Sequence, residues 1–290
     1  YYSSSAGLLF DKNKTELIKY PAGKSLKNFN IPNGVKSLDR YSFCNCSNLT
    51  SINIPESVTY IGIGAFYLCT NLKSIAIPDS VTKIENITFT GCSSLTSISI
   101  PESVTYIGLN AFKDCTSLTS IYIPDSVTLT GLSGTFSGCT SLTNVKLPDV
   151  IYIINTNTFA GCSSLLNIII PDSVTSIKEC AFEGCKSLTN IAIPESVTKI
   201  GTWAFKDCTS LKSIAINNPD CEISNDKDTI PETAVICGYE NSTAQAYAET
   251  YDRKFVLLIE YTETILGDIS GNGKIDLYDA IEIARALLPK

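Results

Sequence analysis

The chain of 290 residues contains no histidine and no methionine, and only one tryptophan. Without histidine, the commonest general base and the commonest zinc ligand are both missing, which excludes catalytic triads and histidine-containing metal sites. Basic residues are also scarce. The formal charge of −7 and a pI near 4.8 leave no basic stripe of the kind nucleic-acid recognition needs. No apolar run approaches the roughly 18 to 20 residues of a membrane span. The chain starts at Tyr1 with neither an initiator methionine nor an apolar signal stretch, so it is expected to be a processed or excised piece.

What the chain does have is a period. Pro32, Pro55, Pro78, Pro101 and Pro124 stand 23 residues apart, and Pro148, Pro171 and Pro194 follow after a single step of 24. A fixed period in the twenties means a solenoid, because each coil can bury its apolar face only against its neighbours. Such a core lengthens with every coil, so chain length does not count domains here.

Each unit carries L-x-x-I-x-I before its proline, as in Leu49, Ile52 and Ile54, or Leu188, Ile191 and Ile193. Alternating β-branched residues stopped by proline predict a short strand with one buried face. Stacked coils then place these strands in a parallel sheet about 4.8 Å apart. The turn P-[DE]-S follows, where proline pre-sets φ and the next side chains are expected to bond to local backbone. Two further inward positions come next, such as Val58 and Ile61. The unit closes on F-x-x-C, from Phe66 and Cys69 to Phe205 and Cys208. A three-residue step puts both side chains on one side of a helical turn, so phenylalanine is expected to stack on phenylalanine.

These signatures resemble the leucine-rich repeats of the BspA-like class of bacterial surface proteins, over roughly residues 23–217. The expected fold is a repeat solenoid, mainly β, with a parallel concave sheet and short helical turns. The resemblance implies adhesion or binding to a host or matrix, and an extracellular, secreted or cell-surface location. Residues 1–25 are read as an N-terminal cap, 26–217 as eight to nine repeat units, and 218–264 as a C-terminal cap. In the first cap, residues 7–24 pair two apolar stretches across a polar turn, which suggests a hairpin. In the second, the capping box from Ser242 to Gln245 opens an alanine-rich helix, and an apolar run at 255–259 suggests a closing strand.

Eight of the 12 cysteines, from Cys46 to Cys208, recur at the repeat period. Lacking histidine or local C-x-x-C pairs, they read as a buried thiol ladder rather than a metal site. Cys221 and Cys237 flank the loop of the C-terminal cap and either form a disulfide or remain buried thiols. The carboxylates of Glu56, Asp79, Glu102, Asp125, Asp149, Asp172 and Glu195 stack along one edge. Their mutual repulsion, about 0.8 kcal/mol per neighbouring pair in water, is tolerable for a solvated turn ladder. Trp203 reads as cap packing.

Outward positions of the concave sheet are mostly Ser, Asn and Ala, and hot spots favour aromatic and arginine side chains. The exceptions are Tyr122, Lys146, Asn167 and Ile169 on three successive coils, beside the one unit with an extra residue. They mark either a docking site or drift in the repeat.

The tail changes character at residues 265–290. Asp268, Ser270, Asn272, Asp276 and Asp279 fall at positions 1, 3, 5, 9 and 12 of a loop, with Gly273 at 6 and the Lys274 carbonyl at 7, which is the ligand spacing of a calcium loop. A helix is expected to follow, with Leu277, Ile281, Ala284 and Leu288 on one face. The segment resembles a single dockerin type I repeat, which normally occurs in pairs. That resemblance implies calcium as cofactor, a cohesin module of a scaffold as partner, and Leu277, Tyr278 and Arg285 as the cohesin-facing residues.

Together these features point to a non-catalytic binding or adhesion protein that presents its solenoid to a protein or glycan, with a tail for attachment to a cellulosomal scaffold. One alternative is a passive spacer or surface-layer element. The other is a carboxylate-based glycoside hydrolase, which the repeat disfavours because its acids occupy equivalent turns and no pair has a distinct environment.

Overall fold

A computed structural model describes residues 2–130 and 132–258. These residues form a mainly β, parallel solenoid of about 10 turns with a single short helix. The predicted strands form in every unit except at residues 165–170, running from Asn28–Asn30 and Ser51–Asn53 to Asn190–Ile193 and Ser213–Ile216. They pair in parallel and in register, so Ile52 sits opposite Ile75 and Ile75 opposite Ile98. Their isoleucines point inward and their prolines end them.

A second parallel ladder was not anticipated. Two-residue strands such as Lys83–Ile84, Tyr106–Ile107, Ser176–Ile177 and Lys199–Ile200 pair from coil to coil at the Val58/Ile61 stretch of each unit. Such strands are too short to leave an alternating pattern in the sequence.

The third side of each coil carries the F-x-x-C segment, and here the helical turn is corrected. Each turn closes a single bond from residue i to i−3, such as Cys69 N–H to the Phe66 carbonyl at 3.1 Å, while alternate N–H groups donate to the next coil. Phe66 N–H reaches Thr88 O at 3.0 Å, and Phe89 N–H reaches Ala111 O at 2.8 Å. A left-handed residue stands at two positions per coil, so the backbone cannot continue as a helix. Glycine serves at Gly64 (φ +61°) and Gly91 (φ +73°), but Leu68 (+56°), Ile87 (+51°), Cys180 (+53°) and Trp203 (+57°) adopt the same conformation. For residues with a Cβ this costs roughly 1–2 kcal/mol each. Lys206 Nζ lies 4.4 Å from the ring centroid of Trp203, which is half-buried.

Inside, the expected aromatic column is present. Tyr20, Phe43 and the seven phenylalanines from Phe66 to Phe205 are all fully buried. From Phe66 onward, neighbouring ring centroids lie 5.3–5.7 Å apart with interplanar angles of 2–14°. Beside it runs the thiol ladder, with every Cys from Cys46 to Cys208 at the repeat position buried. All twelve cysteines are free thiols. Cys221 belongs to the main core, whereas Cys237 packs against Ala215 in a separate small cluster, and this separation keeps the two apart.

The turn serines correct another expectation. Their hydroxyls donate to the valine carbonyl of the preceding coil rather than to local backbone, as in Ser103 to Val81 O at 2.8 Å and Ser126 to Val104 O at 2.7 Å. The turn motif thus binds coil to coil. Its cause is the stacking itself, which brings the previous coil's carbonyl closer than any local one.

At the N-terminal end, strands β1 (Tyr2–Ser5), β2 (Leu8–Asp11) and β3 (Glu16–Lys19) form an antiparallel meander. β3 then pairs in parallel with Ser37–Leu38, so the meander covers the second ladder. At the other end both ladders run on past residue 217, through Glu222–Ile223 and Val235–Gly238 to Phe255–Leu257. Helix α1 (Thr243–Thr250) starts where its capping box predicts. Ser242 Oγ accepts from Gln245 N at 3.2 Å, and Gln245 Oε1 accepts from Asn241 N at 2.8 Å, one residue earlier than in the standard box.

Candidate functional site: the concave face and its sixth coil

From the N-terminal end to about Ser99 the concave face is a shallow trough lined by Asn30, Ser51, Asn53, Ser74, Ala76, Ser97 and Ser99. These side chains are short and offer little area for a partner to grip. The trough does not extend along the whole rod. Ser213 and Ala215, expected to face outward, are buried, and Ala215 packs with Cys237, Ala192, Val235, Val256 and Leu258.

Between these regions lie the four singled-out residues. Tyr122 and Lys146 sit directly opposite each other on paired strands, Ser120–Tyr122 and Asn144–Lys146. Tyr122 is 49% exposed. Lys146 Nζ lies 2.5 Å from Asp149 Oδ1 and 3.8 Å from Asp125 Oδ1. Its hydrogen bond to Asp149, and then the Asp125 charge, hold its pKa above the ordinary lysine value. Asp125 Oδ1 also accepts from the Asp149 backbone N–H at 2.8 Å, which ties this carboxylate to the turn of the next coil.

Asn167 and Ile169 occupy the next coil, and Ile169 is 72% exposed. That coil departs from its neighbours in backbone as well as side chain. Residues 165–170 form no strand, and the ladder stops at Asn144–Lys146 and resumes at Asn190–Ile193. Leu165, Ile168 and Ile170 nevertheless stay buried.

Three residues of the surrounding unit escaped the sequence reading. Val150, Tyr152 and Leu166 are all exposed large hydrophobics. Their signal was available, because the equivalent positions hold Ser126 and Ser173, Thr128 and Thr175, and Thr143 and Thr189.

The loop residues Asp268, Ser270, Asn272, Lys274, Asp276 and Asp279, and the cohesin-facing Leu277, Tyr278 and Arg285, lie outside the described residues. Among the described residues no group of three or more carboxylates or thiols is placed to hold a metal ion. No helix among them is long and apolar enough to cross a membrane.

Residues 20–133 and 130–227 match the BspA type leucine rich repeat region, in 6 copies, and the chain belongs to this family. Among solved structures it is similar to a leucine-rich repeat protein from Bacteroides ovatus, at 28% identity and a TM-score of 0.66, covering 89% of this chain and 75% of that one. A leucine-rich repeat protein of T. pallidum matches at 26% identity with a TM-score of 0.52, over 73% of this chain and 87% of its own. No curated protein matches.

Proposed function

We propose that the chain is a non-catalytic, extracellular or cell-surface binding protein that presents its solenoid to a protein or glycan in adhesion. The observation that carries this reading is the contrast along one face. Tyr122, Lys146, Asn167 and Ile169 project in the middle of a surface whose first coils carry only small side chains. Large exposed side chains supply contact area that serine and alanine cannot. Proteins built from leucine-rich repeats are generally non-catalytic, and the seven carboxylates from Glu56 to Glu195 that follow the repeat prolines occupy equivalent turns.

The tail adds an attachment function to this reading. Asp268, Ser270, Asn272, the Lys274 carbonyl, Asp276 and Asp279 bind calcium, and Leu277, Tyr278 and Arg285 contact a cohesin on a scaffold. Support comes from the loop spacing and the amphipathic stretch after it. Dockerin repeats normally work in pairs, and residues 265–290 hold one.

A protein and glycan array probed with the parent chain tests the first part. Binding that weakens in Tyr122→Ala and Ile169→Ser, with unchanged thermal midpoints, supports it, and unchanged binding removes the patch. Calorimetric titration with calcium tests the tail, with Asp268→Ala as control. Absence of heat in the parent overturns the assignment. A passive spacer is the second reading, favoured by the small side chains of the trough, and an empty array is its expected outcome.

A further inference from the structure

The concave face is open along most of the rod and closed at its C-terminal end. Ala76, directly opposite Ser99, is exposed. At the far end Ala192, Ala215, Cys237 and Val256 stand opposite one another in a single row across four parallel strands. Ala215 occupies the same face position as Ala76, yet it is 0% exposed, and Cys237 beside it is 5% exposed. Neighbours within the sheet do not account for the difference. The residues on either side of Ala215 are an alanine and a cysteine, small side chains like the serine beside Ala76. Val235 and Leu258 pack from the sides, but a methyl group on a sheet face loses all its exposure only when atoms lie above it.

The shape and chemistry of the covered area select what covers it. Burial is complete on two strands, at Ala215 and Cys237, and partial on the strands flanking them, at Ala192 and Val256. A helix with its side chains is about 10–12 Å across, which is roughly two strand spacings of about 4.8 Å. The row is apolar, and beside it Ser213 Oγ already donates to Asn190 Oδ1 at 2.9 Å. An extended segment laid over such a face would leave its own N–H and C=O groups unpaired, whereas a helix bonds its own. The position of the chain names the segment. Leu258, the last described residue, packs into the same cluster, so the chain leaves the sheet at this patch, and the amphipathic stretch 277–288 follows it.

We infer that the concave face at Ala192, Ala215, Cys237 and Val256 is the docking surface for the tail of the same chain, through the apolar stripe of Ile281, Ala284 and Leu288. The inference rests on the helix expected in the tail, and on neither its calcium nor its cohesin. Docking closes the last coils to outside ligands and leaves them the face up to Ile169. It also holds the attachment tail against the end of the rod, so the solenoid stands at a set angle on whatever the tail binds.

The test reads the Cys237 thiol in the full chain. Native protein is treated with N-ethylmaleimide and each cysteine is followed by peptide mass spectrometry, with Cys208, which is 0% exposed inside the solenoid, as the control for unfolding. In the parent, Cys237 is expected to react as slowly as Cys208. A variant carrying Ile281→Glu and Leu288→Glu would bury charge on docking, so its Cys237 is expected to react about tenfold faster or more while Cys208 stays protected. Ala192→Arg, which sets a charge under the stripe, is expected to do the same, whereas Ala76→Arg in the open trough leaves Cys237 protected. Should the tail variant unfold, seen as labelling of Cys208, Ala192→Arg decides. Rapid reaction of Cys237 in the parent, or continued protection in the charged variants, overturns the inference. Protection that disappears on dilution, as sedimentation shows a dimer dissociating, replaces the tail with a second copy. Calcium titration is a separate readout. A chain that binds no calcium yet shows this labelling pattern loses the calcium reading and keeps this one, and a chain that binds calcium with Cys237 reactive in the parent does the reverse.

Discussion

The thiol of Cys115 donates to the backbone carbonyl of Phe89 in the preceding coil, across 3.2 Å. The same carbonyl already accepts from Cys92 N–H at 3.0 Å, so each phenylalanine carbonyl receives two donors, one from its own turn and one from the next coil. The relation repeats from Cys69 to Cys208 at 3.1–3.2 Å. Cysteine is suited to this position because it is small, tolerates full burial and still carries a donor.

Cys115→Ala removes that donor and leaves a small void, while the Phe89 carbonyl keeps its backbone partner. The expected cost is therefore modest, about 1–2 kcal/mol. A denaturant midpoint equal to that of the parent would show that the thiol contributes only volume.

Phe112→Ala opens a hole in a continuous column, since Phe112 stacks on Phe89 at 5.4 Å and Phe136 at 5.7 Å. Core phenylalanine deletions cost about 3–5 kcal/mol. Urea unfolding checks this, and a loss below about 1 kcal/mol would mean the neighbouring rings close the gap.

Ile87 holds φ at +51°, a conformation that a β-branched residue adopts rarely. The equivalent position in the coil before it is Gly64, at +61°. Relief of the left-handed strain outweighs the added chain entropy of glycine, so Ile87→Gly is expected to stabilise by about 0.5–1 kcal/mol. A lower midpoint than the parent's would show that the side chain's packing matters more than its backbone.

Burial pushes the thiols of Cys92 and Cys139 up to about 12 from their ordinary value of 9.0. The unfolded chain therefore loses these protons first, and the folded state binds more of them between the two values. Stability is fully present below pH 9 and falls as the pH rises towards about 12. Urea midpoints measured on either side of pH 9 should decline on the alkaline side, and a flat profile would contradict the buried ladder.

Much of this architecture was legible because the repeat amplifies weak signals. One L-x-x-I-x-I could be many things, but eight copies in phase fix strand, register and inward face together. The phenylalanine and cysteine columns were readable for the same reason. What escaped was set by neighbours rather than by the unit itself. The destination of the Ser103 hydroxyl depends on where the coil of Val81 lies, and the left-handed turn at Leu68 or Trp203 has no local signal because neither residue prefers that conformation. The candidate site was half legible. Tyr122, Lys146, Asn167 and Ile169 stood out against small neighbours on the concave face. Val150, Tyr152 and Leu166 occupy positions whose polar character emerges only when exposure is compared coil by coil.

The concave ladder is interrupted at the coil of Ile169. The turn ladder beside it runs on: each phenylalanine N–H from Phe43 to Phe205 donates to the following coil, including Phe136 to Thr158 O at 2.9 Å and Phe159 to Ala181 O at 2.8 Å on either side of that gap. A protein pulled from one end while its surface is held would then still meet resistance from this seam at the level where the strands do not pair.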